Sequence, residues 1–313
     1  MVTPELAARV KRQLSRRSEA RQRDTQSHFG KEHLVAELEA CGFRNEGIVF
    51  VHSSLSALGY VEGGARTVVD ALRTVIVEQR HGTLAMPLFS LDGSMYDTVR
   101  SGAVFDVRSS PSLMGAITEA FRGFPEVERS LHPTHSVGAL GSRATWLVGG
   151  HETCGSNFGD GSPLGRLLEA GGLLMGLGTD LGPVTFYHVL EDRRDDFPRR
   201  VYTSDSPLRA TCIDTDGARH EIAVMCHDPQ QSKTRIDRAA GRWIRNYITT
   251  YLETHGGLRW HTLGAGKLWI IDTRDMYRCL EDLLDQGITI YTVQEQVARL
   301  APRGARTATG GAE

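Results

Sequence analysis

The sequence predicts an α/β protein: a central mixed sheet, largely parallel, flanked by helices, with antiparallel hairpin additions in the C-terminal half. Two observations carry that prediction. Through residues 31–195, apolar runs of strand length alternate with amphipathic segments of helix length, the rhythm of βαβ units. Beyond residue 208 the pattern changes to paired short runs around "DTDG" and "GAG", the rhythm of hairpins.

Each element follows from its own residues. In "KEHLVAELEACGF" (31–43), Leu34 and Leu38 lie four apart, and Gly42 stands where a helix stops. "GIVFVH" (47–52) and "TLAMPLF" (83–89) are buried-strand runs, separated by a helix over 63–82 with Val68, Leu72 and Val75 on one face. A helix is predicted over 110–124, with Pro111 in its opening turn and Gly123 near its close. "SVGALG" (136–141) reads as a strand, 162–172 as a helix, "LLMGLG" (173–178) as a strand, and 182–195 as a helix with Pro183 at its first position. A hairpin follows over 208–226. One long amphipathic helix is expected over 232–257, with Ile236, Trp243, Ile244 and Tyr247 as its apolar face. A second hairpin around 264–266 and a helix over 274–287 complete the series.

The bulk numbers exclude several classes of function. The 313 residues are 40% hydrophobic and 24% charged, ordinary for a folded chain, and a formal charge of −2 gives no reason to expect nucleic acid or an anionic membrane as partner. No apolar run is long enough to span a bilayer. The five cysteines (41, 154, 212, 226, 279) form no CxxC pair, which predicts free thiols in a reducing compartment, hence a cytoplasmic protein. Residues 1–30 read as a basic leader, helical over 4–14, without the apolar core of a secretory signal. Residues 31–301 read as one α/β domain, since no repeat or linker divides them, and 302–313 as a disordered tail.

Three stretches could carry chemistry. The loop "HSSLSALGYVEGG" (52–64) joins a strand to a helix. Its hydroxyls at Ser53, Ser54 and Ser56, its glycines at Gly63 and Gly64, and the helix N-terminus suit an anion, although GxxxxGK[ST] and GxGxxG are both absent. In "TFYHVLED", a helix would set Thr185, His188 and Glu191 along one face, the minimal arrangement of a general base oriented by a carboxylate. The plainer alternative is a surface turn whose His and Glu pair casually. In "RSLHPTHSVGALG" (129–141), His132 and Ser136 stand at a strand mouth, where α/β sites gather. His132 and His135 lack an HExxH or a carboxylate cluster, so no metal site is expected there.

The order of these stretches is more specific than any one of them. "VHSSLSALGYVEGGARTVVDAL", "MPLFS", "FDVRSSPSLMGAITEAFR", "RSLHPTHSVGALG", "FGDGSPLGRLLEAGGLLMGLG" and "VTFYHVLE" together resemble the aminoglycoside 3-N-acetyltransferase family, also called the antibiotic N-acetyltransferases. The resemblance runs from about residue 33 to 195, and more loosely through "GAGKLWIIDTRDMYRCLEDLL". It implies a fold distinct from the GNAT acetyltransferases; "RAAGRW" (238–243) only approaches the GNAT pyrophosphate loop, with Trp243 where a small residue is needed.

The resemblance further implies acetyl-coenzyme A as donor and a small-molecule amine as acceptor. The coenzyme A site maps to Ser53, Ser54, Leu55, Ser56 and the Gly63–Gly64 turn, helped by Arg108 and Ser110. His188 matches the catalytic histidine and Glu191 its partner, with His132 and Ser136 lining the same cleft and the Thr185 hydroxyl a candidate oxyanion donor. Asp160 and Asp192 are candidate carboxylates for a polycationic acceptor, but the arginines among them and the basic 233–245 stretch depart from an acid-lined pocket. Three readings therefore stand: an aminoglycoside N-acetyltransferase, an N-acyltransferase acting on a different amine, and a non-catalytic binder of coenzyme A or antibiotic, as monomer or homodimer.

Overall fold

The computed structural model describes residues 28–91 and 93–300. The expected leader helix and tail lie outside the described residues. Twelve strands are described: His28–Phe29 (β1), Ile48–Ser53 (β2), Tyr60–Val61 (β3), Thr83–Pro87 (β4), Phe105–Asp106 (β5), Glu128–Arg129 (β6), Val137–Gly141 (β7), Leu173–Leu177 (β8), Leu208–Ile213 (β9), Arg219–Val224 (β10), Arg259–Leu263 (β11) and Gly266–Asp272 (β12). The α-helices are Lys31–Glu39 (α1), Ala65–Leu72 (α2), Met95–Arg100 (α3), Ala116–Arg122 (α4), Ala144–Val148 (α5), Pro163–Ala170 (α6), Tyr187–Arg193 (α7), Arg242–His255 (α8), Thr273–Asp285 (α9) and Gln294–Leu300 (α10).

Seven strands form the central sheet, in the order β11-β12-β8-β2-β4-β7-β6. Its mixed character is as expected, but the parallel share is smaller than the sequence suggests. Only β8–β2 and β2–β4 pair in parallel, and the "SVGALG" strand runs antiparallel to β4. Alternation along β2 splits the core in two. Ile48 and Phe50 face a cluster built with α5 to α9, while Val49 and Val51 face one built with α1, α2 and α4. The 208–224 hairpin joins β5 in a separate three-stranded sheet with its own small core around Cys212 and Val224.

Several expected helices are shorter than their patterns. The 110–124 helix begins only at Ala116, after Gly115 at φ +119°, so Pro111 is not in its first turn. There the Ser112 N–H donates instead to the Glu119 carboxylate at 2.7 Å. The 182–195 helix begins at Tyr187, leaving Pro183 and Thr185 in the turn before it. The long 232–257 helix starts at Arg242, because the chain doubles back so tightly that a Cβ on Gly241 would stand 2.1 Å from the Arg235 carbonyl oxygen. The helix after β3 continues past Leu72 as a π-turn over Arg73–Gln79.

One close approach yields a test of the sheet. Trp269 is wholly buried on β12, and its ring covers Gly176 of β8, where an added Cβ would lie 2.2 Å from the indole. A Gly176→Ala variant is expected to lose about 1–3 kcal/mol of stability through this overpacking. Thermal unfolding reads it; an unchanged Tm would mean the sheet yields there without cost.

Candidate active site

The carboxyl ends of β2 and β8 define the place where a site can form. Ser53 is the register partner of Leu177, so the chain leaves both strands side by side. After Leu177, Gly178 turns at φ +63°, and buried Leu181, Val184 and Phe186 pin the following segment onto the core. The Thr185 carbonyl accepts from the His188 N–H at 3.1 Å, which begins the turn that becomes α7. Within that helix, three-residue spacing brings His188 Nδ1 to 2.8 Å from Glu191 Oε2, with both side chains buried.

A third group completes the cluster, from a part of the chain the sequence analysis did not single out. His227, just beyond β10, places Nε2 3.3 Å from the same Glu191 oxygen, and its ring centroid lies 4.5 Å from that of His188. Phe158 packs against both imidazoles at 5.1 and 5.7 Å, and Tyr202 stacks on His227 at 5.0 Å. Burial alone pushes the Glu191 carboxyl up, but electrostatic attraction to the His188 imidazole and its hydrogen bond outweigh that and hold it well below the usual carboxylate range. The carboxylate is therefore ionised. Burial, and then repulsion from the neighbouring His188 imidazole, push His227 down.

His188, His227 and Thr185 open onto a cleft of about 700 Å³. Phe89, Leu91, Met114, Val184, Ile236 and Ile290 give it apolar walls. Lys233, Arg235, Asp237 and Arg238 also line it, with Arg235 hydrogen-bonded to both Asp237 oxygens. Lys233 and Arg235 thus belong to the cleft wall and not to a helix face.

The remaining expected residues are placed as follows. His135, not His132, is the imidazole of the 129–141 loop that reaches the cleft. His132 is buried behind it, stacked on His151 at 4.4 Å, and its Nδ1 accepts from the His135 N–H at 3.0 Å. Burial pushes His132 down to about 4. Ser136 does not line the cleft either. Its hydroxyl donates to the Leu88 carbonyl at 2.7 Å and accepts from Arg129 Nε at 3.1 Å, which ties the loop to the sheet.

Asp192 is half-buried on the other side of α7, where it accepts from the Phe158 N–H at 2.8 Å and from the Tyr202 hydroxyl. Asp160 is exposed and paired with Arg193 at 3.2 Å. Neither carboxylate faces the cleft. Arg108 grips Asp106 through two hydrogen bonds and borders a second cleft of about 640 Å³, away from His188, while the Ser110 hydroxyl accepts from the Asp106 N–H. The Ser53–Ser56 loop is not part of the His188 cleft lining. It is a 3-10 turn over Leu55–Ala57, with Ser54 and Ser56 hydroxyls 3.3 Å apart, packed beside Gly178 at the same end of the sheet. Gly63 and Gly64, at φ +75° and +65°, turn the chain into α2.

The family model of aminoglycoside 3-N-acetyltransferases matches residues 50–285. The SPbeta prophage-derived aminoglycoside N(3')-acetyltransferase-like protein YokD of Bacillus subtilis is 34% identical over 179 residues, covering 52% of this chain and 65% of that protein. An aminoglycoside N(3)-acetyltransferase III of Salmonella is 34% identical over 259 residues, covering 78% of this chain and 87% of its own length. Among solved structures, AAC-IIIb in a binary complex with CoASH superimposes with a TM-score of 0.69 at 24% identity, over 84% of this chain and 98% of that one, a likeness of fold.

Proposed function

The chain belongs to the aminoglycoside 3-N-acetyltransferase family, and from that membership and the buried His188–Glu191 pair we propose that it transfers an acetyl group from acetyl-coenzyme A to an amine of an aminoglycoside. The observation that carries the reading is the 2.8 Å bond from His188 Nδ1 to the Glu191 carboxylate, with the buried ring lining the cleft. The residues present fit the donor: the apolar wall from Phe89 to Ile290 accepts a flexible thioester arm beside His188. In this reading the Ser53–Ser56 loop holds its polar end, since it shares the sheet end with the α7 segment, and the Gly63–Gly64 turn that follows in the chain assists. When bound, the donor supplies an activated carbonyl with a thiolate as leaving group.

This chain's residues supply the proton handling. An alkyl ammonium cannot attack until it loses a proton. With Nδ1–H committed to Glu191, Nε2 of His188 is left as the acceptor for that proton. The carboxylate stabilises the imidazolium that forms, the same ring returns that proton to the departing thiolate, and the second proton of the amine nitrogen leaves to bulk water as the amide forms, so the pair is restored after each turnover. In this reading Thr185, which lines the cleft, donates its hydroxyl to the oxyanion. Its five cysteines are all free, in keeping with a reducing cytoplasm. Among the described residues no helix is long and apolar enough to cross a membrane.

Thiol release from acetyl-coenzyme A across a panel of amines tests the proposal. Turnover is expected with aminoglycosides. Turnover restricted to amines of other classes would move the acceptor to the second reading, and none at all would leave a binder.

A further inference from the structure

We propose that His188, Glu191 and His227 form a binding site for one zinc ion, and that zinc held there switches the catalytic pair off. The three side chains each offer a ligand atom, and these atoms lie within 4.8 Å of one another, all buried. Two imidazoles and a carboxylate are a donor set zinc prefers. Ligands about 2.0–2.1 Å from a tetrahedral ion stand about 3.4 Å apart. The pairs meeting at Glu191 Oε2, at 2.8 and 3.3 Å, need little adjustment to reach that spacing.

The cluster also has an unused ligand atom. His227 Nε2 is buried without a hydrogen-bond partner; its 3.3 Å approach to the carboxylate falls short of hydrogen-bond geometry. Buried polar atoms are rarely left so. An ion bound among them would satisfy the histidine nitrogen. His188 and His227 border the cleft, which leaves a fourth coordination position open to it.

The consequence for catalysis follows from the tautomer. As the catalytic base, His188 needs its proton on Nδ1 and a bare Nε2. Zinc on Nδ1 displaces that proton and leaves the neutral ring with its hydrogen on Nε2, where it cannot accept another. Zinc also takes Glu191 away from the ring. The inhibition rests on the acetyl-transfer reading; the binding does not.

The test uses the metal-free full chain and cobalt(II), then zinc(II), as probes. One equivalent of cobalt is expected to give the intense visible bands of a tetrahedral site, and calorimetry one equivalent of zinc. His227→Ala should weaken both by about a hundredfold or more, with its circular dichroism and melting transition retained. His220→Asn, altering the exposed His220–Asp214 pair, should change neither. Absence of the bands, their persistence in His227→Ala, or their loss in His220→Asn overturns the site. One equivalent of zinc should abolish thiol release, and a chelator should restore it. Stoichiometric zinc without inhibition would overturn the switch alone, whereas no transfer even in metal-free protein would sink the acetyltransferase reading and leave the metal site standing.

Discussion

A His188→Ala variant is expected to bind acetyl-coenzyme A as the parent does and to transfer acetyl groups about 10²–10⁴-fold more slowly, the usual worth of a positioned general base. The imidazole stands at the cleft and is the one bonded at 2.8 Å to an ionised carboxylate, so no neighbouring group can substitute for it directly. His135 reaches the same cleft, but burial and the surrounding imidazoles push it well below its ordinary value, and its Nδ1 is engaged with the Thr134 hydroxyl at 3.1 Å. His227 is likewise pushed down by burial, and its Nε2 faces Glu191. The loss should appear in kcat and kcat/KM together, because proton removal is needed only on the way to the transition state. Cofactor affinity, measured by calorimetry, separates this from unfolding. A variant retaining more than about a tenth of parental kcat would show that proton transfer runs through another group.

Much of the site was legible in the sequence because its chemistry is local. The His188–Glu191 bond spans three residues of a helix, and such a spacing predicts contact from geometry alone. The α6 start was legible for the same reason: the Ser162 hydroxyl caps it by accepting from the Gly165 N–H at 3.0 Å, with Pro163 following. What escaped was non-local. His227 has no motif around it and reaches Glu191 only because the chain after β10 packs against Tyr202 and Phe158. Which histidine of the 129–141 loop would face the cleft was decided by a hydrogen bond from the His135 backbone to the His132 ring, and that bond turns His132 inward. The residues 232–241 carry a helical pattern but fold as two short 3-10 turns, since the Ile236 carbonyl is held by Arg245 Nε at 3.0 Å and the chain must bend to meet it. The family resemblance made Asp192 a candidate carboxylate for a polycationic acceptor; on a helix it points about 100° away from Glu191, into Phe158 and Tyr202.

The contrast between those adjacent carboxylates frames the second large effect. Glu191→Gln keeps the size of the side chain and removes the charge that holds His188 in its productive tautomer. The amide can offer N–H to Nδ1 as readily as C=O, so part of the population would carry the ring proton on Nε2, which makes it useless as a base. The remaining fraction would form an imidazolium packed against Phe158 and His227 without the carboxylate that now faces it. The corresponding change in a Ser-His-Asp triad costs about 10⁴-fold, and a loss of about 10³–10⁴-fold in kcat, roughly 4–5.5 kcal/mol of transition-state stabilisation, is expected here. Asp192→Asn supplies the comparison: it leaves the Glu191 charge in place and loosens only the Phe158 and Tyr202 contacts, so its effect should fall mainly on stability. If Asp192→Asn slowed transfer as much as Glu191→Gln while both proteins stayed folded, general electrostatics of α7, and not the carboxylate bonded to His188, would be setting the rate.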